Sequence, residues 1–115
     1  MLQLRNTICL AIGFVLLLAL GATAQAAAPA PFGNWATKPA SEQLYVSSSW
    51  CRFTGNNGTS SVLIEGECSW DPTSVGGILT IINVHFYKPA PVRYNIVWVN
   101  SRTIKVFGDV FYKQN

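Results

Sequence analysis

Between residues 78 and 113 the side chains change character with a period of two, and that constraint excludes a helix from the last third of the chain. Ile78, Thr80, Ile82, Val84 and Phe86 fall on one parity. So do Val92, Tyr94, Ile96 and Trp98, and so do Ile104, Val106, Gly108, Val110 and Tyr112. Strand side chains point alternately to the two faces of a sheet, so each set belongs to one face. β-branched and aromatic residues dominate, and apolar residues do not recur at helical spacing. The stretch reads as three consecutive antiparallel strands: 78–86, 92–99 and 103–113. Lys88–Pro91 and Asn100–Arg102 connect them.

The register follows from the second connection. If Asn100-Ser101-Arg102 is a three-residue hairpin loop, Trp98 faces Ile104, Ile96 faces Val106, Tyr94 faces Gly108 and Val92 faces Val110. Arg93 then pairs with Asp109 on the other face. A two-residue loop would set Ile96 against Lys105. The first register pairs apolar with apolar and opposite charges with each other, and is preferred.

Upstream, residues 1–26 have the layout of a secretory signal peptide. Arg5 precedes an apolar run, Ile8–Leu20, and Ala24-Gln25-Ala26 is an A-x-A cleavage site, with Ala22-Thr23-Ala24 as a competitor. The apolar run is short for a membrane span of about 20 residues. Cys9 stands at the start of that run and not after it, which argues against a lipoprotein. The expectation is export to a secreted or periplasmic location, without stable membrane insertion after cleavage.

The mature chain of about 89 residues suffices for one small domain. Eight Lys and Arg stand against five Asp and Glu in the whole chain, and Arg5 leaves with the leader. No basic run appears, so a nucleic-acid partner is not expected. Cleavage also removes Cys9 and leaves Cys51 and Cys68, which an exported chain is expected to join. Closing that loop stabilises by roughly 3 kcal/mol in the chain-entropy treatment. The single histidine and the absence of C-x-x-C leave no ordinary zinc site. No metal or cofactor is expected.

Residues 27–43 are rich in Ala and Pro and read as a partly extended N-terminal arm, with the β domain over 44–115. Phe32 and Trp35 are the large aromatics in that arm. Gly33-x-Trp35 resembles the short G-x-W pattern near the start of lipocalin-like barrels and of some secreted protease-inhibitor barrels. The resemblance implies eight strands, whereas about five are counted here, and no family residue is carried over.

Leu44–Phe53 and Val62–Trp70 form a first hairpin around the turn-rich Thr54–Thr59. Setting Cys51 against Cys68 places Arg52 opposite Glu67 and Phe53 opposite Gly66. Asn57-Gly58-Thr59 is a glycosylation sequon. The fold class is therefore all-β: a small antiparallel meander of about five strands with one disulfide, as a twisted sheet, a small sandwich or a partly closed barrel.

Candidate functional residues are few. Asn83, His85, Arg93, Asn95 and Asp109 lie on the mixed parity of the meander. They could place His85 as a base oriented by Asp109, with Arg93 on an anion. The competing reading is a solvent face with one ion pair. Glu65 and Glu67 share a strand face roughly 7 Å apart, near the spacing of paired glycosidase carboxylates, but with Arg52 as a surface partner. Trp35 and Trp50 are hard to place in the core and suit a protein, peptide or carbohydrate partner. The expected function is a non-enzymatic binding module. The alternatives are an inhibitor of a secreted hydrolase and a minor hydrolase using the His85 region. The arm either covers the mixed face permanently or moves off it to admit a ligand.

Overall fold

The computed structural model describes residues 26–56 and 58–115. The leader apart from Ala26, Cys9 and the sequon residue Asn57 lie outside them. The described chain forms eight strands: β1 Gly33–Ala36, β2 Glu42–Val46, β3 Trp50–Asn56, β4 Ser61–Pro72, β5 Gly76–Asn83, β6 Ala90–Asn100, β7 Thr103–Val106 and β8 Asp109–Lys113. Each pairs antiparallel with the next, and β8 pairs back onto β1 to close a barrel. The all-β class and the disulfide stand. The strand number is eight and the barrel closes fully, which corrects the count of five and agrees with what the G-x-W resemblance implied.

An eight-stranded barrel has an interior just wide enough for side chains to fill. Trp35, Leu44, Val46, Leu79, Ile81, Ile96, Ile104 and Phe111 fill it, with Cys51, Tyr94 and Val106. The outer wall carries Arg52, Glu65, Glu67, Arg93 and Lys105. The interior is apolar, and the outer wall mixes these charges with the exposed Leu63, Ile78, Ile82 and Val97.

Three strands were not expected as such: β1 lies inside the stretch read as an arm, the expected Leu44–Phe53 strand breaks at residues 47–49 into β2 and β3, and the expected 103–113 strand breaks into β7 and β8. Trp35 is 1 % exposed and belongs to the core, so it is not available to a ligand. Three indoles hold the segment before β1. Trp35 Nε1 donates to the Pro31 carbonyl at 2.8 Å, Trp70 Nε1 to Ala28 at 3.1 Å, and Trp98 Nε1 to Pro29 at 2.9 Å. The Trp35 and Trp98 rings meet edge to face, 5.6 Å between centroids. Residues 26–32 thus stopper one end of the barrel instead of lying over a sheet face. The mobile-arm alternative is set aside on this geometry.

The last strand is two strands. Phe107 and Gly108 have φ of 51° and 88°, the signature of a two-residue type I′ turn. Val106 pairs with Asp109 across it. Trp98 faces Ile104 and Ile96 faces Val106 as expected, but the chain turns back before Tyr94 can meet Gly108. Arg93 therefore pairs with Thr80, not with Asp109.

β5 shows the opposite face from the one expected. Leu79, Ile81 and Asn83 point inward, while Ile78 and Ile82 are exposed. Its neighbours decide this. Leu79 pairs with Trp70 and Tyr94, and Ile81 with Cys68 and Val92, and directly paired residues share a face.

In the first hairpin Cys51 pairs with Gly66, Arg52 with Glu65 and Phe53 with Ile64. This is two residues from the expected register and on the same faces. The disulfide bridges diagonally to Cys68 with Cα atoms 5.8 Å apart. β4 explains the offset: its first half pairs with β3 and its second with β5. At the changeover a Cβ on Gly66 would overlap the Ile82 carbonyl oxygen, so only glycine lets β5 approach there.

Trp35→Ala should lower the unfolding free energy by about 3–5 kcal/mol, the usual range for a buried tryptophan. Urea denaturation measures it. A loss below about 1 kcal/mol would mean that β1 is not part of the core.

Candidate functional site

Alternating strand direction sorts the connections between two ends. The β2–β3, β4–β5 and β6–β7 connections lie with residues 26–32 at the stoppered end. The β1–β2, β3–β4, β5–β6 and β7–β8 connections gather at the other, open end. Its mouth is shaped by the first residues of β2 and β8. The parity that buries Leu44 and Val46 brings Glu42 to the rim, and the parity that buries Phe111 brings Asp109 there.

Glu42 and Asp109 line a cleft of about 320 Å³ with Thr37, Lys38 and Tyr112. The two carboxyls share this cleft closely enough to influence each other. Burial first, then the Asp109 charge, then the hydrogen bond to Asp109 push the Glu42 carboxyl above its ordinary range. Lys38 does not neutralise the pair; its Nζ sits 4.6 Å over the Tyr112 ring. The lip is braced: Thr37 Oγ1 donates to the Pro39 carbonyl at 2.7 Å and accepts from the Glu42 N–H at 3.1 Å. A neighbouring hollow of about 490 Å³ shares Ser41 and Glu42 and is lined by Phe53, Gly55 and Val62.

Beneath the rim lies Tyr94, 5 % exposed, its ring 5.1 Å from Phe53 and 6.0 Å from Phe107. Its hydroxyl is buried without a hydrogen-bond partner among the described residues. Burial pushes its pKa up to about 12, so it stays a donor.

The residues singled out by sequence do not assemble. Asn83 is buried, and its Oδ1 accepts the backbone N–H groups of Glu65 and His85 at 3.3 and 3.2 Å. It completes the ladder where β4 and β5 part and is structural. His85 turns away from Asp109 to the outer wall, where its Nε2 lies 2.9 Å from Glu65 Oε1. The His85 hydrogen bond lowers the Glu65 pKa, against a smaller opposing effect of burial, and the Trp50 indole at 3.4 Å lowers it further. Arg93 and Asn95 face solvent on β6, and Trp50 is exposed on β3. Glu65 is thus tied into a surface network, which removes it from a pairing with Glu67 as glycosidase carboxylates. Among the described residues no group of His, Cys, Asp and Glu is placed to hold a metal ion.

The sequence reading missed Glu42, Phe107 and Tyr94 as site residues. Gly108-Asp109 was the available signal for the turn that exposes Phe107, since Gly inside a strand pattern marks a break. Glu42 carried no signal, because the expected strand began at Leu44 and left it at the end of the arm.

Two substitutions probe the mouth. A raised folded-state carboxyl favours the fold at acid pH, and that contribution is lost as pH rises through the raised value. Glu42→Gln should therefore match the parent at acid pH and exceed it once pH rises through the raised value; thermal melts from acid to neutral pH test it, and a pH-independent difference contradicts it. Tyr94→Phe should be neutral or stabilising by about 1 kcal/mol, because it removes an unpaired buried hydroxyl. A loss of more than about 2 kcal/mol in urea would show that the hydroxyl has a partner.

Compared with protein-family models, with curated proteins and with solved structures, the chain matches none.

Proposed function

We propose that the protein is an exported, non-enzymatic binding module that engages a polypeptide through the open end of its barrel. The observation that carries this is the apolar character of that end. In the β5–β6 connection Tyr87 is 100 % exposed, with Val84 and Phe86 beside it, and Phe107 at the β7–β8 tip is 68 % exposed. Loop tips normally carry small polar residues, and clustered exposed aromatics mark interaction surfaces.

Phe107 adds a second argument. A bulky side chain at positive φ is strained, by about 1–3 kcal/mol. Burial does not offset that strain here, so binding is the reason for keeping a phenylalanine where Asn or Gly would fit better. The disulfide suits an oxidising, extracytoplasmic compartment, and the filled interior favours surface docking over an enclosed ligand. A carbohydrate partner is less well served, since the indole N–H of Trp50 is engaged by Glu65. The hydrolase alternative lacks support: His85 and Asp109 are held by different partners. The inhibitor alternative retains one specific observation, the projecting Phe86-Tyr87 loop on a disulfide-stapled scaffold, and is a special case of the same docking.

The test is a random-peptide display library panned on the immobilised full chain. Binders should be lost with Phe107→Asn, although that substitution creates an Asn-Gly type I′ turn and should leave the hairpin as stable or more stable. Binders that survive both Phe107→Asn and Tyr87→Ser, or no binders at all, would overturn the proposal.

A further inference from the structure

The chemistry of the partner can be read from what lies near Phe107 at the open end. Next to Phe107 the chain continues into Asp109, which faces Glu42 across the cleft. Two carboxyls held this close repel each other when both are ionised. Among the described residues the one ion pair within 4.0 Å is His85–Glu65, on the outer wall. Lys38 lines the same cleft yet rests on Tyr112. The cleft, at about 320 Å³, has room for a side-chain terminus. Its lip is fixed by the Thr37 hydrogen bonds and by the Asn56 N–H donating to the Ser41 carbonyl at 2.8 Å. The open end therefore carries exposed aromatics beside an acidic pair that no basic group among the described residues neutralises within 4.0 Å.

We infer that the occupant of this surface is a polypeptide presenting an arginine or lysine beside an aromatic or aliphatic side chain. The basic group enters the cleft between Glu42 and Asp109, and the apolar neighbour packs on Phe107. This rests on the docking reading above and specifies its partner. Charge complementarity selects the occupant. An anionic membrane surface would also welcome exposed aromatics, but it would meet the Glu42 and Asp109 carboxyls at the same end of the barrel. A second copy of this chain would offer its own aromatic rim and the same acidic centre, and like charge would oppose that pairing.

The experiment runs the random-peptide selection on two full-length proteins, the parent and the Glu42→Gln/Asp109→Asn double variant. The substitutions keep shape and remove charge, and retention of the disulfide and of the near-ultraviolet dichroism checks the fold. The parent should enrich peptides with Arg or Lys adjacent to an aromatic or aliphatic residue. Those peptides should bind the double variant at least about tenfold more weakly, with the difference shrinking as salt is raised. Three results overturn the inference. Peptides lost with Phe107→Asn but carrying no basic residue, and indifferent to the double variant, leave the docking surface standing and remove its basic partner. Binding of vesicles of anionic phospholipid that strengthens in the double variant points to a membrane instead. Failure to enrich any peptide that depends on Phe107 removes the docking surface and this inference together.

Discussion

The barrel closes through four residues. β1 pairs with β2 along its length but with β8 at only two positions, Trp35 with Lys113 and Ala36 with Tyr112. Without it β2 and β8 would be open edges with unpaired N–H and C=O groups, which small β proteins rarely tolerate. A ladder this short does not hold itself. Trp35 supplies the burial, and the Gln114 N–H extends the seam to the Asn34 carbonyl at 2.8 Å. The three indole–carbonyl hydrogen bonds then fix residues 28–31 across the end of the barrel. Each contributes on the order of 1 kcal/mol, and together they set the direction from which the chain enters β1. The Cys51–Cys68 bridge ties β3 to β4 elsewhere in the wall, so the seam and the disulfide brace the structure independently.

The parts of this fold that were legible in the sequence are those with long, unambiguous alternation. β6 and β7 were found with the correct facing, and with the correct register at Ile96 and Trp98, because the other parity carries Arg93 and Asn95 on β6 and Thr103 and Lys105 on β7. The disulfide was legible by elimination among three cysteines. β5 was found but turned over. Ile78 and Ile82 on its outer wall are as apolar as Leu79 and Ile81 inside, so periodicity carried no information about facing. β1 could not be seen, since four residues between prolines show no period. The β7–β8 turn was hidden by Phe107, a residue that turn chemistry disfavours where it stands.

The site was less legible than the fold, and for a different reason. Asn83, His85, Arg93, Asn95 and Asp109 were grouped on the assumption that the mixed parity of each strand shares one face. Pairing Ile81 with Val92 puts Asn83 inside and Arg93 outside, so one register step separates them. The residues that do come together, Glu42 and Asp109, meet because their strands start at the same end of a closed ring. Nothing local in either segment encodes that proximity. It is a property of closure, which depends on the one strand the sequence concealed.

The two ends of the barrel are built on opposite terms. At the stoppered end the tryptophans are held by the chain itself, with Trp35 buried and the Trp70 and Trp98 indole N–H groups on backbone carbonyls, although Phe32 and Val75 stay exposed there. At the open end Tyr87 and Phe107 are left uncovered, a buried hydroxyl is left unpaired, and two carboxyls are left adjacent. Each of these costs stability, and the same chain shows at its other end that it has the means to avoid such costs. A domain this small has a narrow stability margin. The strain and exposure concentrated at the open end are therefore best understood as the cost of presenting a surface. The seam, the tryptophan contacts and the disulfide brace the barrel beneath that surface, so that in the proposed docking little conformational freedom would be lost on the protein's side.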